Sequence, residues 1–221
     1  MKKAILFGLG TLAELVLHSN SFHKGPYDIV ALTADPEFIN IDALNGIPVI
    51  PFKKVREVFP PESSVGFIIC VGYKNMNQDR ERISERIVQG GYKILNFIDK
   101  QAIIRTHDIG TGNIFLEGCN IGAGSKIGNG NIFYPHSLLA HHCIVGNYNY
   151  FAISSSIGGF TRISDCCFIG NNAAIRDKCN IASYTLVGGG AYVNANTSAY
   201  DVVVPERSHV LENKSSLQMN L

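Results

Sequence analysis

A period of six dominates the C-terminal half of this chain. Every sixth residue is apolar: Ile103, Ile109, Phe115, Ile121, Ile127, Phe133, Leu139, Val145, Phe151, Ile157, Ile163, Ile169, Ile175, Ile181, Val187, Val193 and Ala199. Four places after most of them stands a small residue, as at Cys119, Ser125, Ser137, Cys143, Ser155, Thr161, Cys167, Ala173, Cys179, Thr185, Ala191 and Thr197. Glycine often follows the apolar residue directly, as at Gly122, Gly146, Gly158, Gly170 and Gly188. An α-helix does not present this pattern, because its apolar stripe returns about every 3.6 residues. Three hexads instead close one triangular coil of about eighteen residues, with apolar side chains on the axis and small ones at the corners. Stacked coils bury a continuous core. The expectation is a left-handed parallel β-helix of hexapeptide repeats over residues 100–205, with the register lost in a tail at 206–221.

The register also accounts for most of the cysteines. Cys119, Cys143, Cys167 and Cys179 fall at the small inward position, where a thiol serves as a compact hydrophobe. Cysteine spacing does not match a zinc ligand set.

Residues 1–99 alternate strands and helices. Lys3–Gly8, Asp28–Leu32, Val65–Val71 and Lys93–Ile98 read as apolar strands, with Asn45-Gly46 as turn chemistry leading into Val49-Ile50. Thr11–Ser19 has helical spacing, with Leu12, Leu15 and Val16 on one face; Lys53–Phe59 reads as a short helix stopped by Pro60-Pro61. Gln78–Gln89 is an amphipathic helix stopped by Gly90-Gly91. This rhythm implies an α/β, Rossmann-like N-terminal domain built on a small parallel sheet.

A net charge of +1 without a Lys/Arg cluster offers nucleic acid or an anionic membrane little to hold. The start at Met1-Lys2-Lys3 lacks a signal-peptide cleavage site, and no apolar run reaches about 18 residues, so a cytoplasmic location is expected.

Chemistry must project from the faces and corners of such a prism. Three of the seven histidines fall between Tyr134 and Cys143: His136, His141 and His142. Neither His141 nor His142 occupies an inward position, so each is a solvated surface imidazole or a general base working near neutral pH. In the N-terminal half, Gly8-Leu9-Gly10-Thr11-Leu12-Ala13 follows a strand and opens a helix, a context that brings backbone N–H groups to a phosphate. Small residues for a tight turn are the plainer reading. Asp35 ends the second strand, where an acid can bind a ribose hydroxyl, but half a dinucleotide fold does not suit NAD.

The segment His141-His142-Cys143-Ile144-Val145-Gly146, followed by Gly158-Gly159, Ile169-Gly170-Asn171-Asn172-Ala173 and Val187-Gly188-Gly189-Gly190-Ala191, resembles bacterial sugar acetyltransferases of the hexapeptide-repeat superfamily. The nearest group is the sialic acid O-acetyltransferase and bacillosamine-pathway nucleotide-sugar N-acetyltransferase family. The resemblance runs from Gly8 to about Pro205. It implies transfer of acetyl from acetyl-CoA to a nucleotide-linked amino-deoxy sugar for a surface glycan, by direct attack, without a metal, in a homotrimer. It also implies roles: His141 as base, His142 beside it where relatives carry a carboxylate, and Gly159 N–H at the thioester oxygen. Asn171 and Gly189 would line the pantetheine arm, with Tyr150 where relatives carry a second histidine. Gly8, Gly10, Thr11, Asp35, Gly72 and Tyr73 would touch the nucleotide, and Asn75, Asn77 and Arg80 a diphosphate; Arg82 is equally a solvated helix charge. O-acetylation of sialic acid is the alternative within the family. A γ-carbonic-anhydrase-like zinc site, using His136, His141 and His107, and a non-catalytic sugar-binding scaffold are the alternatives outside it.

Overall fold

The computed structural model describes residues 1–206 and 208, so the expected tail lies outside it apart from Glu206 and Ser208. The N-terminal sheet is built from β1 (Lys2–Phe7), β2 (Tyr27–Ala34), β3 (Ala43–Leu44), β4 (Ile47–Pro51), β5 (Gly66–Ile69) and β6 (Lys93–Ile94), in the order β3-β4-β2-β1-β5-β6. All neighbours are parallel except β3 and β4, which form an antiparallel edge hairpin. Its turn uses Asn45 and Gly46 at φ 50° and 79°, so the sheet is mixed rather than wholly parallel. Helices α1 (Thr11–Phe22), α2 (Phe52–Val58) and α3 (Gln78–Gln89) flank it. Strand order reverses between β1 and β5, which puts a crevice at their carboxyl ends.

The strand expected over Lys93–Ile98 is split. Lys93–Ile94 closes the first sheet, whereas Phe97–Ile98 pairs with Ile114–Phe115 and starts the prism. Asn96 makes the crossing rigid: its side chain donates to Gly110 O and accepts from Asn113 N.

Beyond it, two-residue strands stack into three parallel sheets. Registers such as Asn120↔Leu138↔Ser156↔Ala174↔Tyr192 give a coil of 18 residues through the middle of the prism. Both ends depart from the repeat. Ile104, not Ile103, pairs with Ile121, and Ile103 is exposed, because the first coil is one residue short. Ala199 is exposed too; Val203 takes the place over Val187. Inside, Phe115, Phe133 and Phe151 stack at 4.9 and 4.4 Å, and the buried Cys119, Cys143, Cys167 and Cys179 fill corners. One corner carries a ladder of buried asparagines: Asn113 Oδ1 accepts from Asn131 N, and Asn131 Oδ1 from Asn149 N, both at 2.9 Å.

The three faces differ. Outward residues of the first, among them Ile114, Ile132 and Tyr150, share one apolar core with Leu12, Ala13, Val16 and Leu17 of α1, so the N-terminal domain docks there. The second carries Lys126, Ile144, Arg162 and Asn180. The third, with Ile103, Asn120, Leu138, Ser156, Ala174 and Tyr192 outward, leaves large apolar side chains exposed, and Arg105 reaches Asn120 at its first coil. We call these the docked, charged and open faces. At the base of α1, the Ser19 hydroxyl donates to buried Asp99, tying the helix to the start of the prism.

Candidate active site

The coil positions His141 and His142 at the corner between the open face (Leu138–Leu139) and the charged face (Ile144–Val145). Both are exposed. Corner residues repeat every 18 positions, so the same corner carries Gly124, His142, Phe160 and Lys178, all with positive φ. His142 stacks on Phe160 at 5.0 Å and 10°, while His141 meets the Phe160 ring edge-on at 5.1 Å. The Nδ1 atoms of the two histidines lie 3.1 Å apart, so one carries the proton and the other accepts it. That contact leaves Nε2 of His141 outside the pair.

Directly below His141 lies Gly159. A Cβ there would stand 2.8 Å from Cε1 and 3.0 Å from Nε2 of the imidazole, so a side chain at this position would push the ring from its place. Gly159 is buried, its carbonyl accepts from Lys178 N at 2.9 Å, and its N–H donates to no acceptor among the described residues. A buried, uncommitted N–H beneath an imidazole is a ready donor for a developing oxyanion. Cys143, one turn inside, sends its thiol to Gly158 O at 3.2 Å, and burial pushes its pKa up; it is a packed thiol, not a nucleophile.

On the other edge of the open face, a cleft of about 360 Å³ opens at the corner toward the docked face. Tyr73, Tyr134, Tyr150 and Phe168 form an aromatic wall, and Asn171 and Gly189 line the opposite side. Tyr150 stacks on Phe168 at 5.2 Å; Tyr73 approaches both rings edge-on. Burial pushes the Tyr150 phenol well above its ordinary pKa, so it stays a neutral donor. The N–H groups of Asn171 and Gly189 donate to no acceptor among the described residues, which suits a strip of amide carbonyls such as a pantetheine arm carries.

The third group lies at the sheet crevice. Gly8, at φ 128°, has its missing Cβ against Cys70 O, a packing need. Gly10 caps α1 and, like Gly72, has open space where a Cβ would be. Thr11 is exposed at the first turn. Asp35 is held bidentate by Arg86, 51 residues away in the chain, at 2.6 and 2.8 Å. The guanidinium keeps its carboxyl below the usual carboxylate range.

The diphosphate assignment fails for Asn77 and Arg80. Both are buried, and every Arg80 donor is already given to a protein acceptor. Asn75 is exposed and bonds Asp79, and Arg82 forms an exposed ion pair with Asp79, as a solvated helix charge does. His136 covers Gly118 at the cleft-side corner, across the open face from His141. Among the described residues no three His, Cys, Asp or Glu side chains are grouped to hold a metal ion. No helix among the described residues is long and apolar enough to cross a membrane. Phe160 and Tyr134 were missed from the sequence. Phe160 sits one coil after His142, which the period alone could have indicated.

No family model matches the chain. GDP-perosamine N-acetyltransferase of Escherichia coli O157:H7 is 29% identical over 98 residues, 44% of this chain and 44% of that protein. The chain thus spans less than half of that curated relative. The acetyltransferase domain of PglB from Neisseria gonorrhoeae FA1090, in complex with acetyl coenzyme A, superposes with a TM-score of 0.81 at 22% identity, covering 92% of this chain and 96% of that one. PerB from Caulobacter crescentus, in complex with CoA and GDP-perosamine, gives 0.80 at 20% identity over 92% of this chain and 94% of its own. This chain has the fold of those acetyltransferases. Both of its domains take part in the match, since coverage extends over nearly the whole chain.

Proposed function

We propose that this chain is an acetyl-CoA-dependent N-acetyltransferase acting on a nucleotide-linked amino-deoxy sugar. The observation that carries the reading is the His141 imidazole lying over the buried, unpaired N–H of Gly159. His141 Nε2 takes a proton from the sugar amine as its nitrogen attacks the thioester carbonyl. The C–N bond forms, the C–S bond breaks, and CoA leaves as a thiolate that takes the proton back from the His141 imidazolium. Gly159 N–H holds the carbonyl oxygen while it carries charge, a contribution of about 3 kcal/mol in comparable acyl transfers. His142 orients the base through the Nδ1 pair, in the place where a carboxylate would do so more strongly.

His141 and the cleft flank the open face on opposite edges of one chain. A second copy packed on that face, over exposed Leu138 and Tyr192, brings His141 of one chain to the Asn171–Gly189 cleft of its neighbour. This favours a homotrimer with shared sites. The crevice at Gly8, Gly10, Thr11, Asp35 and Gly72 then takes the nucleotide, with Tyr73 and Tyr150 toward the sugar. No residue set in the mechanism calls for a metal.

The test is thiol release from acetyl-CoA against UDP-, dTDP- and GDP-linked amino sugars, with chelator controls. Release with one amino sugar supports the reading. Silence across the panel, with turnover on a sialic acid instead, would replace N- by O-acetyl transfer, and zinc-dependent CO₂ hydration would replace it altogether.

A further inference from the structure

Between β5 and α3 the backbone makes a turn that L-residues disfavour. Asn75, Met76 and Asn77 stand consecutively at φ 50°, 47° and 68°. Asparagine tolerates this region, but methionine has no local compensation. Such geometry persists only where the surroundings over-determine it, and here they can be named. Asn77 is buried; its Nδ2 donates to Cys167 O at 3.1 Å and its Oδ1 accepts from Arg80 at 2.9 Å. Arg80 spends all five of its donors on Gly72 O, Asn77 Oδ1, Gly130 O, Tyr148 O and Asn149 O, at 2.8 to 3.1 Å. Three of those carbonyls belong to the prism. No carboxylate pairs with this guanidinium among the described residues, and burial lowers its pKa to about 10. A planar fork meets this spread of acceptors; a lysine cannot.

The same turn begins at Tyr73, whose ring centroid lies 5.1 Å from that of Tyr150 and 4.9 Å from that of Phe168. We propose that Arg80 and Asn77 are positioning residues that clamp a left-handed turn onto the prism, so that Tyr73 is held as one wall of the aromatic cleft. The consequence for ligand binding rests on the proposed function; the docking of Tyr73 does not. Freed from the clamp, the turn relaxes, Tyr73 leaves Tyr150 and Phe168, and apparent affinity falls with the docked fraction.

The chain has no tryptophan, so Tyr73→Trp introduces a single fluorophore at the cleft. Adding Arg80→Lys keeps the charge but strands several carbonyls. Residue 73 is 55% exposed even in the docked turn, so the expected result is lower fluorescence anisotropy, as the ring loses its neighbours, with an unchanged far-UV spectrum. Met76→Gly, added to that chain, removes the left-handed penalty and restores part of the anisotropy. With Tyr73 native, Arg80→Lys raises the acceptor KM, about tenfold if the docked share drops to about a tenth, and kcat moves less. Unchanged anisotropy in a folded Tyr73→Trp, Arg80→Lys chain overturns the clamp. So does a fall in kcat at constant KM. Should Arg80→Lys not fold, amide exchange of the unaltered chain decides. Free-chain rates at residues 73–77 overturn the proposal, and protection like that of α3 supports it. Loss of anisotropy, where the unaltered chain transfers no acetyl to any acceptor of the panel, refutes the proposed function and leaves the clamp standing.

Discussion

His141 and His142 divide one task between two imidazoles. Replacing His141 by alanine should lower turnover about 100-fold or more, the loss expected for a general base, with folding unchanged. His142→Ala should cost less, about tenfold, because it removes an orienting partner rather than the base. Steady-state rates alongside circular dichroism check both, and full activity in His141→Ala would end the assignment. Asp35 supports a different prediction. Its pKa is lowered in the folded chain by Arg86, so its contribution to stability is present above the unfolded carboxylate value of about 3.9 and fades as pH falls through the lower folded value. The pair is partly exposed, so Asp35→Asn should cost at most about 1 kcal/mol at pH 7 and nothing at the acid end. Urea melts at several pH values measure this. The histidine pair was legible because neither residue fits the inward register, whereas Arg86 was not, because it lies 51 residues from Asp35 in the chain.

At the scale of the coil, the period of six is a statement about which side chains face the axis. It holds where successive strands pair 18 apart and fails where Ile104 takes the place of Ile103 and Val203 overrides Ala199. This yields a paired test. Ala191 is buried at a corner and Ala199 is exposed. Ala191→Leu should therefore destabilise by about 1–3 kcal/mol through overpacking, while Ala199→Leu should stay within about 0.5 kcal/mol, as surface changes do. Equal effects in thermal melts would mean the last coil keeps the hexad register. The asparagine ladder at Asn113, Asn131 and Asn149 occupies the small-residue position at one corner, and each amide reaches the coil beside it. A reading that looked for small side chains there passed over it, because the selected property is hydrogen bonding between coils rather than size.

The molecule as a whole is organised by what covers each face of the prism. The docked face is covered by α1 and the charged face by water. The open face, with Leu138 and Tyr192 exposed, is the one suited to a second copy. The proposed trimer makes an activity prediction. His141→Ala, and Gly189→Trp filling the cleft, should each be inactive alone, yet chains co-expressed with one of each should recover a share of the activity, because some sites then combine an intact histidine with an intact cleft. No recovery, or a sedimentation mass of one chain, would show that the site lies within a single chain.

The sequence by itself determined the β-helix, the α/β half before it and the position of the histidine corner, because each depends on periodicity along the chain. Coils pair with their own neighbours, so a period read in one dimension carries directly into space. Tertiary structure alone decided the rest: the one-residue slip at Ile103, the burial of Arg80, the pairing of Asp35 with Arg86, and the separation of His141 from the cleft by a whole face. Those features join residues through contacts between domains and across the prism, and no local period records such contacts.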